Sequence, residues 1–87
     1  MPTVFIPTQL RELTGGTQQV VLDGRTVSEL LEQLEGLYPG IKARLCEGEQ
    51  LAPGLQVSID HVMTSHGMTT KVNTDSEVHF LPAIGGG

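Results

Sequence analysis

The sequence predicts an α+β fold in which one main helix packs across one face of a mixed β-sheet. Short segments of alternating apolar and polar residues occur near both ends of the chain, which is the pattern of strands with one buried face. One longer segment with helical spacing lies between them. The 87 residues provide for a single small core, so we expect these elements to form one domain.

The N-terminal part of the chain predicts two strands joined as a hairpin. The first covers residues 2–7, where Val4 and Ile6 share one face and Phe5 lies on the other. The second covers residues 18–22. The connection between them contains a pair of glycines and is longer than a tight two-residue turn.

The main helix is predicted to begin at Thr26, because Thr26 and Glu29 have the spacing of a capping box. One apolar stripe follows at helical spacing, formed by Val27, Leu30, Leu31 and Leu34. Gly36 can end this helix, and Pro39-Gly40 is predicted to prevent its continuation. A short second helix is predicted over residues 41–45.

Two further strands are predicted in the C-terminal half, over residues 55–59 and 77–81, with a polar, irregular segment over 60–70. The order strand, strand, helix, strand, strand is typical of a β-grasp fold if the first and last strands pair in parallel at the centre of the sheet. We expect this domain to cover residues 1–81 and a flexible tail to cover 82–87.

The last strand also predicts a candidate docking surface. If Val78 faces the helix, alternation places His79 and Leu81 on the outer face, beside Phe5. Phe5 and Leu81, with Pro82 at the start of the tail, would then leave apolar surface open for a partner. The alternative is that these are single exposed apolar residues, which are common on proteins.

Composition and charge exclude several classes of function. Five Lys and Arg against ten Asp and Glu give a net charge of −5, which disfavours nucleic acid and favours docking onto a more basic protein surface. An acidic row on the helix is expected to be solvated, with electrostatic docking as the alternative: Glu29, Glu32 and Glu35. No signal peptide or membrane-spanning stretch is visible, so we expect a cytoplasmic protein that is monomeric when free.

Ordinary catalytic and metal-binding arrangements are not evident. The three histidines lack metal-ligand spacing and are expected to be solvated at the surface: His61, His66 and His79. Cys46 has no activating group near it in sequence, and we expect a structural thiol. The pair Gly15-Gly16 is not followed by the Lys-Ser or Lys-Thr of a phosphate loop.

The C-terminal glycines, Gly85-Gly86-Gly87, follow directly after the last predicted strand. Frayed termini are common, but glycine suits a backbone that must pass through a slot too narrow for any Cβ. The six residues from Pro82 onward could extend roughly 20 Å. A terminal carboxylate, with a reference pKa of about 3.5, becomes an acyl donor only after activation, for example by ATP. A sulfur nucleophile could then displace AMP and leave a thiocarboxylate, and a partner must supply this chemistry.

The chain resembles the ubiquitin-like sulfur-carrier proteins of the MoaD/ThiS family over essentially its whole length. The motifs that carry the resemblance are Ile6-Pro7-Thr8, Leu10-Arg11, Thr14-Gly15-Gly16, Thr26-Val27-Ser28-Glu29-Leu30-Leu31, and the ending from Asp75 to Gly87. The early motifs are most similar to those of the cysteine-biosynthesis (CysO-like) carriers. Gly85 stands where many members have Ala, and residues 60–70 are the weakest match.

The resemblance implies a non-enzymatic carrier that binds no cofactor itself. Gly87, next to Gly86, would bear the thiocarboxylate, and Gly85 and Ile84 would lie in a partner's active site. An E1-like enzyme would use ATP to adenylate Gly87. A pyridoxal-phosphate cysteine synthase-like enzyme is the expected acceptor of the sulfur.

The sequence is also compatible with other functions. Within the family, the chain could be the small subunit of molybdopterin synthase or a carrier for thiamine or another thio-metabolite. Outside sulfur transfer, a ubiquitin-like protein modifier and a β-grasp interaction module are the alternatives.

Overall fold

A computed structural model describes residues 1–64 and 66–82, and in this part of the chain a five-stranded mixed sheet is covered on one face by a helix. The strands and helices in chain order are β1 (Thr3–Phe5), β2 (Gln19–Val21), α1 (Val27–Leu37), α2 (Ile41–Leu45), β3 (Cys46–Glu47), β4 (Gln50–Leu51), β5 (Leu55–Ile59), β6 (Val62–Met63) and β7 (Glu77–Pro82). The large sheet has the order β2-β1-β7-β5-β6, and β3 pairs with β4 separately. The predicted α+β architecture is confirmed.

The first and last strands pair in parallel, as the sequence predicted. Val4 lies opposite Val78 and Phe5 opposite His79. Strand β7 occupies the centre, because β5 pairs with its other edge in antiparallel fashion. Parallel pairing brings the C-terminal ends of β1 and β7 to the same edge of the sheet.

The predicted N-terminal cap of α1 is present, with one difference. The Glu29 backbone N–H donates to Thr26 Oγ1 at 3.2 Å. The Glu29 carboxylate, however, accepts from the Arg25 backbone N–H at 2.9 Å, whereas a capping box would place this bond on Thr26. Both bonds still satisfy backbone donors at the start of the helix.

The helix α1 ends before Pro39-Gly40, as the sequence predicted, and extends one residue past Gly36. The helix continues to Leu37, and the Tyr38 N–H donates to Leu34 O at 2.8 Å. The chain reverses at Gly40, whose φ of 100° lies in the left-handed region that glycine adopts without a steric penalty. The second helix α2 begins directly afterwards, over the predicted residues.

One core joins the helices to the inner face of the sheet. Its buried apolar side chains come from the large sheet and the residue after β1, from α1 and from α2. They include Val4, Ile6, Leu30, Leu31, Leu34, Ile41, Leu45, Val57, Val78 and Phe80. The inward orientation predicted for Val78 and Phe80 is therefore confirmed.

The segment over 60–70, predicted to be irregular, contains strand β6 and a 3-10 turn at Gly67–Thr69. Asp60 and His61 both have positive φ, 52° and 70°, which is the conformation of a two-residue type I′ hairpin turn. Asp60 is tied down because its Oδ1 accepts from the Glu77 N–H at 2.8 Å. A two-residue strand has too little periodicity to be read from sequence.

None of the helices in these described ranges is long and apolar enough to cross a membrane.

Replacing Leu34 by Ala should destabilise the fold by about 2–5 kcal/mol, because it removes methyl groups from a fully enclosed site between helix and sheet. Leu34 is 0% exposed, whereas Leu37 in the same helix is 55% exposed. Leu37→Ala is thus the matched control and should change the free energy of unfolding by less than about 0.5 kcal/mol. Urea unfolding measures both; equal losses would contradict the proposed core.

Candidate functional site

A row of side chains crosses the outer face of the sheet, the face opposite α1. Strand register places Phe5, His79, Ser58 and Met63 side by side on four neighbouring strands. Residues directly opposite each other in a sheet project to the same face. The predicted outward orientation of Phe5 and His79 is confirmed.

His79 is more engaged than sequence reasoning predicted. Its ring stacks on Phe5 with 4.1 Å between ring centroids and 9° between ring planes. Its Nδ1 is buried, and within residues 1–64 and 66–82 it has no hydrogen-bond partner. The prediction of a solvated imidazole is therefore wrong for His79, because its ring packs on the neighbouring Phe5 ring and the side chain is half-buried. His61 and His66 are exposed, as expected.

A cavity of about 350 Å³ lies at the edge where β1 and β7 end. It is lined by Phe5, Ile6, Pro7, Thr8, Gln9, Arg11, His79, Phe80 and Leu81. The structure thus brings together Phe5 and Leu81, the predicted docking pair, and leaves Leu81 40% exposed. Pro82, the last described residue, extends β7 and pairs with Leu55. Ile84, Gly85, Gly86 and Gly87 lie outside the described residues.

Arg11 is the charged residue of this cavity, and sequence reasoning did not single it out as a site residue. It is half-buried, and its Nε donates to the backbone oxygen of Ile6 at 3.2 Å. Across the ranges that the structure describes, no carboxylate lies within ion-pair distance of Arg11. Arg11 lies in the turn after β1, so the predicted parallel pairing of the first and last strands was the signal that could have placed it at this edge.

Comparison with known proteins identifies the family. The ThiS family model matches residues 4–87. The chain belongs to the ThiS family. It is 36% identical over 92 residues to the sulfur carrier protein CysO of Mycobacterium tuberculosis, with 98% of this chain and 97% of CysO covered.

Solved structures agree with this ThiS-family assignment. A chain of the crystal structure of the Amycolatopsis orientalis BexX/CysO complex matches with a TM-score of 0.89 and 37% identity, over 100% of both chains. The solution structure of small archaeal modifier protein 1 from Methanosarcina acetivorans matches with a TM-score of 0.79 and 26% identity, over 99% of this chain and 95% of that one. The predicted family and β-grasp fold are both confirmed.

The acidic row of α1 in this ThiS-family protein was predicted to be solvated. The structure shows instead that two of its carboxylates bind groups of α2 and of the turn before it. Glu35 accepts from the backbone N–H groups of Gly40 and Lys42, each at 2.9 Å. Glu32 forms an ion pair with the Lys42 side chain. The two backbone hydrogen bonds lower the pKa of Glu35 below its ordinary value. These carboxylates therefore join α1 to α2.

Cys46 is buried, in line with the predicted structural thiol. Its Sγ donates to Met68 Sδ at 3.8 Å. Burial raises the pKa of the Cys46 thiol, which disfavours the reactive thiolate. In the part of the chain that the structure describes, no three His, Cys, Asp or Glu side chains are placed to hold a metal ion.

Glu35→Gln should destabilise the protein at neutral pH, and this effect should shrink in acid. The pKa of Glu35 is lower in the folded state than its ordinary value of 4.5, so its carboxylate stabilises the fold above that pH. The contribution is lost as the pH falls through the lowered pKa. Urea unfolding of both proteins between neutral pH and about pH 3 measures the difference. A difference that does not change with pH would contradict the role assigned to Glu35.

Proposed function

We propose that this protein is a sulfur carrier that transports sulfur as a thiocarboxylate at Gly87. The observation that carries the proposal is its similarity to the sulfur carrier CysO over 98% of this chain and 97% of that protein. The family match also extends to residue 87, so the alignment includes the glycines on which the chemistry depends.

The proposed cycle begins with an unreactive carboxylate. The Gly87 carboxylate attacks the α-phosphorus of ATP in an E1-like partner, which forms an acyl-adenylate and releases pyrophosphate. A hydrosulfide equivalent then attacks the carbonyl carbon, AMP leaves, and a thiocarboxylate remains. Gly86 and Gly85 present no side chain to the narrow passage that this requires, and Ile84 would lie at its entrance.

This chain supplies the carried group rather than the catalyst. Cys46, the candidate nucleophile, is buried and its pKa is raised, so the carbonyl of Gly87 is the proposed reactive centre. The sulfur would pass to a pyridoxal-phosphate cysteine synthase-like enzyme for cysteine formation. The likeness to CysO supports this destination over molybdopterin or thiamine synthesis.

The outer sheet face would dock these partners. Phe5 and Leu81 line one cavity at the edge where β7 ends at Pro82. Exposed apolar groups next to a concave surface are typical of the centre of protein interfaces. A partner seated there would receive the C-terminal residues at the same time.

A protein modifier is the second candidate. The similarity to small archaeal modifier protein 1 favours it, because an adenylated Gly87 would also react with a lysine amine to form an isopeptide bond. Proteins joined through Gly87 in cell extracts would support this function, and their absence alongside thiocarboxylate would favour sulfur transfer.

Incubation with an E1-like enzyme, ATP and a sulfur donor should raise the intact mass of this protein by the exchange of one oxygen for sulfur. Variants that lack Gly87 or carry Gly86→Arg should fold with an unchanged unfolding midpoint and yet show no mass gain, since the acyl donor is lost or blocked. The enzyme must first be shown to load CysO. If that enzyme loads CysO but leaves the wild-type chain unchanged, the proposed function is wrong.

Leu81→Glu should raise the KM of the loading reaction for this protein by about tenfold or more, because a charge replaces an apolar contact at the centre of the interface. The kcat should change little, since the reacting group is untouched. Leu37→Glu makes the same change on α1, where the side chain is similarly exposed, and should leave KM unaltered. Equal KM values for the two variants would place the docking surface elsewhere.

A further inference from the structure

The cavity at the end of β1 and β7 combines an apolar wall with Arg11, which forms no ion pair within residues 1–64 and 66–82. We propose that Arg11 binds a carboxylate of the adenylating partner in this cavity, while an apolar side chain of the same partner packs on Phe5 and Leu81. This inference rests on the proposed function and adds a specific chemistry to its docking surface.

Arg11 is held ready for such a ligand. Its Nε donates to the backbone oxygen of Ile6, and Ile6 is only 2% exposed, so the accepting group is fixed in the core. One guanidinium N–H is thus occupied, and the terminal nitrogens remain to form the paired bonds that a carboxylate accepts. A fixed side chain also loses less conformational entropy on binding than a free one.

The lack of a partner for Arg11 is unexpected in this chain. Acidic residues outnumber basic ones by ten to five, and Lys42 does pair with Glu32. Arg11 nevertheless has no carboxylate within 4 Å among residues 1–64 and 66–82. A half-buried cation beside an apolar cavity forgoes solvation that an ion pair would replace. The missing charge is therefore expected from a partner.

His79 provides a second, independent indication. It lines the same cavity, and its Nδ1 is buried with no hydrogen-bond partner in the described ranges. Buried polar atoms without partners are uncommon, so this residue of the cavity lining is a second place where polar pairing within the described residues is incomplete. The cavity is thus lined by two polar side chains with unused pairing capacity in the described residues, Arg11 and His79, next to the apolar Phe5 and Leu81.

Charge points to the adenylating enzyme as the occupant. With a net charge of −5, the chain carries its anionic terminus toward a site that holds ATP, and like charges repel. A cation at the root of the C-terminal segment reverses the sign of the field locally. A carboxylate on the enzyme at that point would fix the orientation in which the segment enters.

Charge reversal at Arg11 tests the proposal in the loading reaction. Arg11→Glu should raise the KM for this protein between about 10- and 100-fold, the range expected for a hydrogen-bonded ion pair, with kcat within about twofold. Arg25→Glu makes the same change at an exposed site outside the cavity and should leave KM unchanged. Similar KM values for wild type and Arg11→Glu would overturn the proposal while loading of the wild type upholds the sulfur-carrier function.

A second variant leaves the hydrogen bond from Arg11 to Ile6 in place, because the loss of that bond could itself perturb the fold. Gln9 is exposed and lines the cavity, so Gln9→Glu should repel the incoming carboxylate and raise KM about threefold or more, an effect that added salt should reduce. Gln50→Glu, exposed and outside the cavity, should have no effect.

Normal loading of Arg11→Glu and Gln9→Glu with impaired sulfur transfer to the acceptor would overturn the assignment to the adenylating enzyme. If the wild type itself is not loaded, both the inference and the function fail.

Discussion

The parallel pairing of β1 with β7 is the constraint on which the rest of the structure depends. Val4 and Val78 lie opposite each other, and both are fully buried under α1. Because the two strands run in the same direction, their C-terminal ends meet at one edge of the sheet. The turn after β1, which contains Arg11, is thereby placed beside the C-terminal end of β7.

The two faces of the sheet have different roles, one in stability and the other in the proposed recognition of partners. The inner face packs on α1 and supplies the stability of the domain, whereas the outer face carries the Phe5–His79 stack and the exposed Leu81. A substitution on the outer face can therefore alter recognition at little cost to folding. This division suits the proposed carrier role, in which the catalytic groups would belong to the partner enzymes.

Local sequence patterns predicted the elements whose stability is local. The apolar stripe of α1 and the alternation in β7 were sufficient for the β-grasp architecture, and the family resemblance supplied the proposed chemistry. The end of α1 before Pro39-Gly40 could also be predicted, because the chain reverses at Gly40 with a positive φ, although the helix extends one residue past Gly36. The predicted parallel pairing already placed His79 beside Phe5, whereas the burial of His79 Nδ1 and the hydrogen bond from Arg11 to Ile6 depend on side-chain conformations that alternation does not determine.

The most direct test of the account is the mass of this protein isolated from its own cells, with the modified peptide identified by fragmentation. The account predicts a fraction in which one oxygen of the C-terminal peptide, at Gly87, is exchanged for sulfur. A persulfide would instead add a whole sulfur atom to the peptide that contains Cys46. Sulfur found at Cys46, with the C-terminal peptide always a plain carboxylate, would contradict the account.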